Sequence, residues 1–139
     1  MRRLSDIIHN PKPLIMRPAT TVRRACEEMR VRCASAVLVA DPDNYLLGIF
    51  TGRDALWRVL AEGKRAEEVT LREVMTKNPV TMTPSTTTIE ALRLMWDGGF
   101  RHLPVTEMAC VVGLVLRRDF KGEDLVRLDD EREVWEHMR

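Results

Sequence analysis

The chain repeats itself. Gly48-Ile49-Phe50-Thr51-Gly52-Arg53-Asp54 returns as Gly113-Leu114-Val115-Leu116-Arg117-Arg118-Asp119: each time a glycine, an apolar strand and an Arg-Asp pair at a helix start. Pro18, Thr20, Thr21, Ala25 and Met29 have counterparts 66 positions on, at Pro84, Thr86, Thr87, Ala91 and Met95. The spacing is still 66 from Val39 to Val105 but 65 from Gly48 to Gly113, so the second hairpin loop is one residue shorter. Upstream, residues 4–8 (Leu-Ser-Asp-Ile-Ile) parallel residues 71–75 (Leu-Arg-Glu-Val-Met). The repeated unit therefore runs over residues 4–54 and 71–119. One copy alone buries too little surface to be comfortable, so the two are expected to fold together.

This gives a first repeat with its lead-in helix over residues 1–68, a second over 69–122, and a carboxy-terminal helical extension over 123–139. Composition narrows the function. A net charge of +1 provides no basic field of the kind that draws nucleic acid or an acidic membrane surface. No run approaches the roughly 20 apolar residues of a membrane span, and the amino terminus lacks a signal-peptide core, which points to a cytoplasmic protein. Cys26, Cys33 and Cys110 are odd in number and lack Cys-x-x-Cys spacing, against both a disulfide frame and a zinc site. Cys26 and Cys110 read as small core residues. His9, His102 and His137 lie far apart in sequence, and no metal is expected.

Each copy has the same predicted elements. Leu14-Ile15-Met16 is a short strand, and Thr20 or Thr21 can cap a helix whose inner face is Val22, Ala25, Cys26 and Met29. Residues 36–40 and 45–50 form a hairpin around the turn Asp41-Pro42-Asp43-Asn44, and a second helix runs from Asp54 to Leu60. In the second copy Val80-Thr81-Met82 is the short strand, and Ile89, Leu92 and Met95 mark the inner helix face. Residues 102–106 and 110–116 make the hairpin, although Glu107-Met108-Ala109 lacks the Gly or Asn usual for a tight turn. The fold class is α+β.

The ordered set resembles a tandem pair of CBS domains, the module named after cystathionine β-synthase. The resemblance covers residues 4–121 and rests on the doubled unit, the Ala-x-x-x-Met helices (Ala25/Met29, Ala91/Met95), Leu103-Pro104-Val105, and Gly48, Thr51 and Asp54. It implies two β-α-β-β-α repeats packed through their sheets about a pseudo-two-fold axis, with two clefts that commonly hold AMP, ADP, ATP or S-adenosylmethionine without chemistry on them. It also implies a homodimer through helical faces, for which Trp57 and Trp96 are candidates.

The residues support such a site on physical grounds. A ribose offers two neighbouring hydroxyls, and a carboxylate at a helix start can accept both, at roughly 1.5–3 kcal/mol per charge-assisted bond. Asp54 and Asp119 are placed for that, and Thr51 can reach a phosphate or the ribose. Adenine needs an apolar slot with backbone partners, which Leu14, Ala36 and Val37 supply in the first copy and Pro79, Val80, Leu103 and Pro104 in the second. Leu116 replaces the hydroxyl of Thr51, and Arg101 and His102 can compensate as phosphate contacts, where the first copy has Ser35 and Ala36. The plainer reading stands beside this one: an Asp at a helix start caps backbone N–H groups for about 1 kcal/mol with no ligand at all. Arg53 and Arg118 read as exposed.

Beyond Asp119, Leu125, Leu128, Val134, Trp135 and Met138 share one side of a helix that packs back on the module or meets a partner. Two functions are open: a sensor of adenine nucleotides, with S-adenosylmethionine and NAD ranked behind them, that signals to another protein, or a structural adaptor with empty clefts. An enzyme is a distant third, since no nucleophile-base pair or Gly-rich phosphate loop is present.

Overall fold

The computed structural model describes residues 2–8, 12–120 and 122. Two compact units emerge, and they are not the sequence repeats. One contains Lys12–Val80 with Met108–Val111; the other takes the described residues of Met1–Pro11, Thr81–Glu107 and Val112–Arg139.

In the first of these, β1 (Ile15–Met16), α1 (Val22–Arg32), β2 (Ala36–Ala40) and β3 (Leu46–Thr51) follow the predicted order. Thr21 caps α1 by accepting from Arg24 N–H at 3.2 Å. Val22, Ala25 and Met29 are buried against Val37, Val39 and Phe50. β3 then feeds α2 (Gly52–Asp54), which widens at once into a π-helical stretch over Ala55–Leu60. Its five-residue spacing shows in Ala61 N–H donating to Leu56 O at 2.9 Å. The expected regular helix is thus corrected to a short α turn plus a π segment.

Two further elements complete this unit: α3 (Leu71–Val74) and β4 (Thr76–Lys77), a strand with no periodic signal because both its residues are exposed. The sheet order is β1-β2-β3-β4, with β1 parallel to β2 and the other pairs antiparallel.

A clasp of three backbone bonds holds α3 to the start of α1: Leu71 N–H to Thr20 O at 2.9 Å, Arg72 N–H to Pro18 O at 3.0 Å, and Val22 N–H to Val69 O at 2.8 Å. The other unit repeats it residue for residue. Around α4 (Thr88–Gly98), Leu4 N–H donates to Thr86 O at 2.8 Å, Ser5 N–H to Pro84 O at 3.0 Å, and Thr88 N–H to Arg2 O at 3.0 Å. The lead-in of each repeat therefore docks on the other repeat's helix. Leu4 and Ile7 enter the core formed by Ala91, Leu92, Met95, Leu103, Val105, Val115 and Phe120.

In this unit β5 (His102–Glu107) and β6 (Cys110–Leu116) pair, and a 3-10 turn follows over Arg117–Asp119. The expected strand at residues 80–82 reduces to one parallel bridge, Met82 with Val105. Cys26 packs at the core edge and Cys110 lies on a strand, both only partly buried, so neither is the fully enclosed core residue expected. The carboxy-terminal helix, with Leu125, Leu128, Val134, Trp135 and Met138, lies outside the described residues.

The β5–β6 turn explains its odd sequence. Met108 and Ala109 both adopt positive φ, 51° and 67°, the left-handed pair that a two-residue hairpin needs and that Asn-Gly ordinarily provides. Each non-glycine residue there costs roughly 1 kcal/mol. Met108→Asn with Ala109→Gly is expected to raise the melting temperature by several degrees in a thermal unfolding scan.

Candidate functional site

At the first site the sheet register gathers the expected residues. Ile15 stands opposite Leu38, Leu38 N–H donates to Leu14 O at 2.8 Å, and Ala36 faces Thr51. Leu14 and Val37, and next to them Ala36 and Thr51, thus occupy two adjacent rows at the end of the sheet where β3 turns into α2 and presents Asp54. Leu14, Ala36 and Val37 are buried, so their side chains belong to the core and only their backbone can serve a ligand.

Thr51 and Asp54 form a reciprocal capping box. Asp54 Oδ2 accepts from Thr51 N–H at 2.9 Å and from the Thr51 hydroxyl at 3.2 Å, while Asp54 N–H donates to Thr51 Oγ1 at 3.4 Å. These two donors fill Oδ2. Oδ1 faces Arg58 Nε at 3.6 Å, with the Asp54 side chain 10% exposed and that of Arg58 50%. Arg58 in turn donates from Nη1 to Val74 O at 3.3 Å and Met75 O at 3.0 Å, at the end of α3. The cap is therefore complete without a ligand, and Oδ1 is the acceptor a ligand must use.

The second site inverts this balance. Asp119 Oδ2 accepts from Leu116 N–H at 2.8 Å, but Leu116 offers no hydroxyl, and Asp119 makes no other hydrogen bond or ion pair among the described residues. Its carboxylate is half-buried and less committed than that of Asp54. Arg117 N–H donates to Arg101 O at 3.1 Å, which places exposed Arg101 beside the Asp119 turn. His102 is partly buried at the head of β5, and Leu103 and Pro104 are buried behind it. Pro79 and Val80 fall in the other compact unit, just beyond β4.

Two arginines escaped the sequence reading. Arg58 had a signal, the Asp-x-x-x-Arg spacing that sets opposite charges on one helix face. Arg117 stands where the first repeat has Gly52. It donates from Nη2 to Met95 O and Phe100 O, each at 3.2 Å, and lies 5.2 Å over the Trp96 ring. It satisfies the carbonyls that end α4, a structural role. Arg53 is likewise engaged, 5.0 Å over Trp57. Burial pushes the Cys26 thiol pKa up and so disfavours a reactive thiolate. Among the described residues, no three His, Cys, Asp or Glu side chains gather as a metal ion would need.

A doubled unit, β-α-β-β in the first copy and with its first strand reduced to a bridge in the second, each copy closing on a capping carboxylate at its strand-to-helix turn, defines a tandem-repeat α+β module. The particular family follows from comparison: the CBS domain matches residues 4–61 and again 71–125, and the chain belongs to that family. It is 44% identical over 104 residues to the CBS domain-containing protein CBSCBSPB2 of Arabidopsis thaliana, a match covering 75% of this chain and 19% of that protein. The chain thus spans about a fifth of the length of these curated plant relatives. Among solved structures, a CBS-domain containing protein from Agrobacterium tumefaciens is 28% identical with a TM-score of 0.74, covering 84% of this chain and 94% of its own. A CBS domain protein from Pyrobaculum aerophilum, solved in complex with AMP, has a TM-score of 0.82 at 19% identity, covering 92% and 98%.

Proposed function

We propose that the chain is a regulatory module with no reaction of its own, which holds an adenosyl ligand and passes its presence to a partner protein or a second copy. AMP, ADP and ATP are the preferred ligands. One observation carries this reading: both repeats set a carboxylate, Asp54 and Asp119, at the same strand-to-helix turn, each with acceptor capacity beyond its cap. A ribose diol needs that capacity. Arg101 and His102 are the phosphate contacts of the second site. The protein of the same fold that was solved with AMP supports the ligand class.

The adaptor reading draws on a different observation. The Asp54 cap is closed by its own neighbours, and Leu56, Trp57 and Leu60 stand 54%, 60% and 71% exposed on the adjoining helix, an apolar face suited to a homodimer.

Thermal unfolding separates the two. A ligand at about 100 times its Kd adds roughly 2.7 kcal/mol to the folded state, a rise of several degrees at this size. At least one of AMP, ADP, ATP, NAD and S-adenosylmethionine is expected to produce it. Asp54→Ala should remove most of the first site's share, and Leu116→Thr should strengthen the second site in calorimetry. Five ligands without a shift would leave the adaptor reading standing alone.

A further inference from the structure

We propose that Arg58 couples occupancy of the first site to the segment leading into the second repeat, as a positioning residue whose hold is released when a ligand takes Asp54. The ligand is that of the reading above; the wiring exists without it.

One guanidinium spans three acceptors. Nε faces Asp54 Oδ1 at 3.6 Å, and Nη1 donates to the carbonyls of Val74 and Met75 at 3.3 and 3.0 Å. Those carbonyls follow the last turn of α3, where no helical donor remains. Met75 is the residue that seats this segment on the sheet, since its Sδ lies against Gly48.

Oδ2 of Asp54 already accepts two donors, so a ligand hydroxyl must compete for Oδ1, the oxygen that orients Arg58. The Arg58 side chain is half in water. Once its charged partner is taken, water competes for the guanidinium, and two neutral carbonyls hold it less firmly than a carboxylate and two carbonyls together. The release loosens Val74, Met75 and the β4 pairing of Thr76 with Ile49.

Hydrogen exchange of the amides of residues 71–77, read by mass spectrometry on the full chain, tests this alongside AMP calorimetry. Saturating AMP is expected to raise exchange there several-fold. Asp54→Asn without ligand should do the same, because it removes the charge that orients Arg58. Arg58→Met should show raised exchange from the start, respond no further to AMP, and bind AMP more tightly for want of a competitor. Arg58 is exposed, so the core survives this change. If Asp54→Asn and Arg58→Met both exchange like the parent without ligand, the clamp does not exist. If AMP binds with measurable heat but leaves these amides unchanged or more protected, the coupling fails while the nucleotide reading stands. Absence of AMP heat in the parent would rule out AMP as the ligand that releases the clamp and so overturn the ligand step as proposed, while the five-ligand panel decides the nucleotide reading and the ligand-free variants decide the clamp.

Discussion

Gly48→Val is expected to unfold the chain at room temperature, while Gly52→Ala should match or slightly exceed the parent. A Cβ on Gly48 meets Met75 Sδ at 2.6 Å, Thr76 O at 2.7 Å and Met75 Cγ at 2.9 Å, far inside the roughly 3.5–4.0 Å of a favourable contact. Thr76 O is backbone, so relief requires β4 and α3 to leave the sheet. Overpacking alone costs about 1–3 kcal/mol. Lifting buried Val74 and Met75 adds about 1.5–3 kcal/mol for each. The total is comparable with the whole stability of a small domain, about 5–15 kcal/mol. Gly113, the counterpart, meets only Ile8 side-chain atoms, the nearest Cγ2 at 2.5 Å, and that side chain can turn aside. Gly113→Ala should therefore cost about 1–2 kcal/mol. Nothing lies within 4 Å of a Cβ on Gly52. Melting temperatures by circular dichroism should fall in the order Gly52→Ala, Gly113→Ala, Gly48→Ala, Gly48→Val. Equal losses at positions 48 and 113 would show that the Thr76 carbonyl is not the obstacle.

That glycine pair also shows where sequence reasoning reached and where it stopped. The matching Gly-to-Asp segments exposed the repeat, and the α1 and hairpin assignments followed because caps and periodicity are local. Thr21 and Thr87 accept from N–H groups three residues on. The likeness of residues 71–75 to residues 4–8 was legible too, but not what residues 71–75 pack against. Their clasp runs between backbone groups of Thr20, Pro18 and Leu71, which leave no side-chain pattern to read. The site was legible to the same depth. Thr51 with Asp54 reads as a cap from spacing alone, whereas Oδ1 facing Arg58, and Arg58 reaching Met75 O, depend on where α3 folds back. Arg117 was visible only as a departure from Gly52. Its meaning required the carbonyls of Met95 and Phe100, brought to it by tertiary structure.

The exchanged lead-ins predict that residues 12–80 fold alone and residues 1–68 do not, although the second cut respects the sequence repeat. Ending at residue 68 removes Val69, Leu71, Val74 and Met75, whose exposures are 7%, 0%, 1% and 7%. Each is worth about 1.5–3 kcal/mol on burial, so about 6–12 kcal/mol is lost, enough to cancel the stability of a domain. The same fragment keeps Leu4 and Ile7, whose core partners, from Ala91 to Phe120, are gone. Residues 12–80 keep every member of the Leu14-to-Met75 core. Within their compact unit they lose four hydrogen bonds to residues 108–111: Leu46 N–H to Ala109 O at 3.1 Å, Val111 N–H to Asn44 O at 3.1 Å, Asn44 Nδ2 to Val111 O at 2.9 Å, and Cys110 Sγ to Asp43 O at 3.8 Å. Water can replace these at about 1 kcal/mol each or less. Urea titration should therefore give a cooperative transition for residues 12–80, at a lower midpoint than the full chain, and a sloping baseline for residues 1–68. A cooperative transition in the shorter fragment would mean that its core closes without α3. The Arg58 clamp and the clash at Gly48 would then both lose their footing, since each depends on α3 being seated on the first repeat.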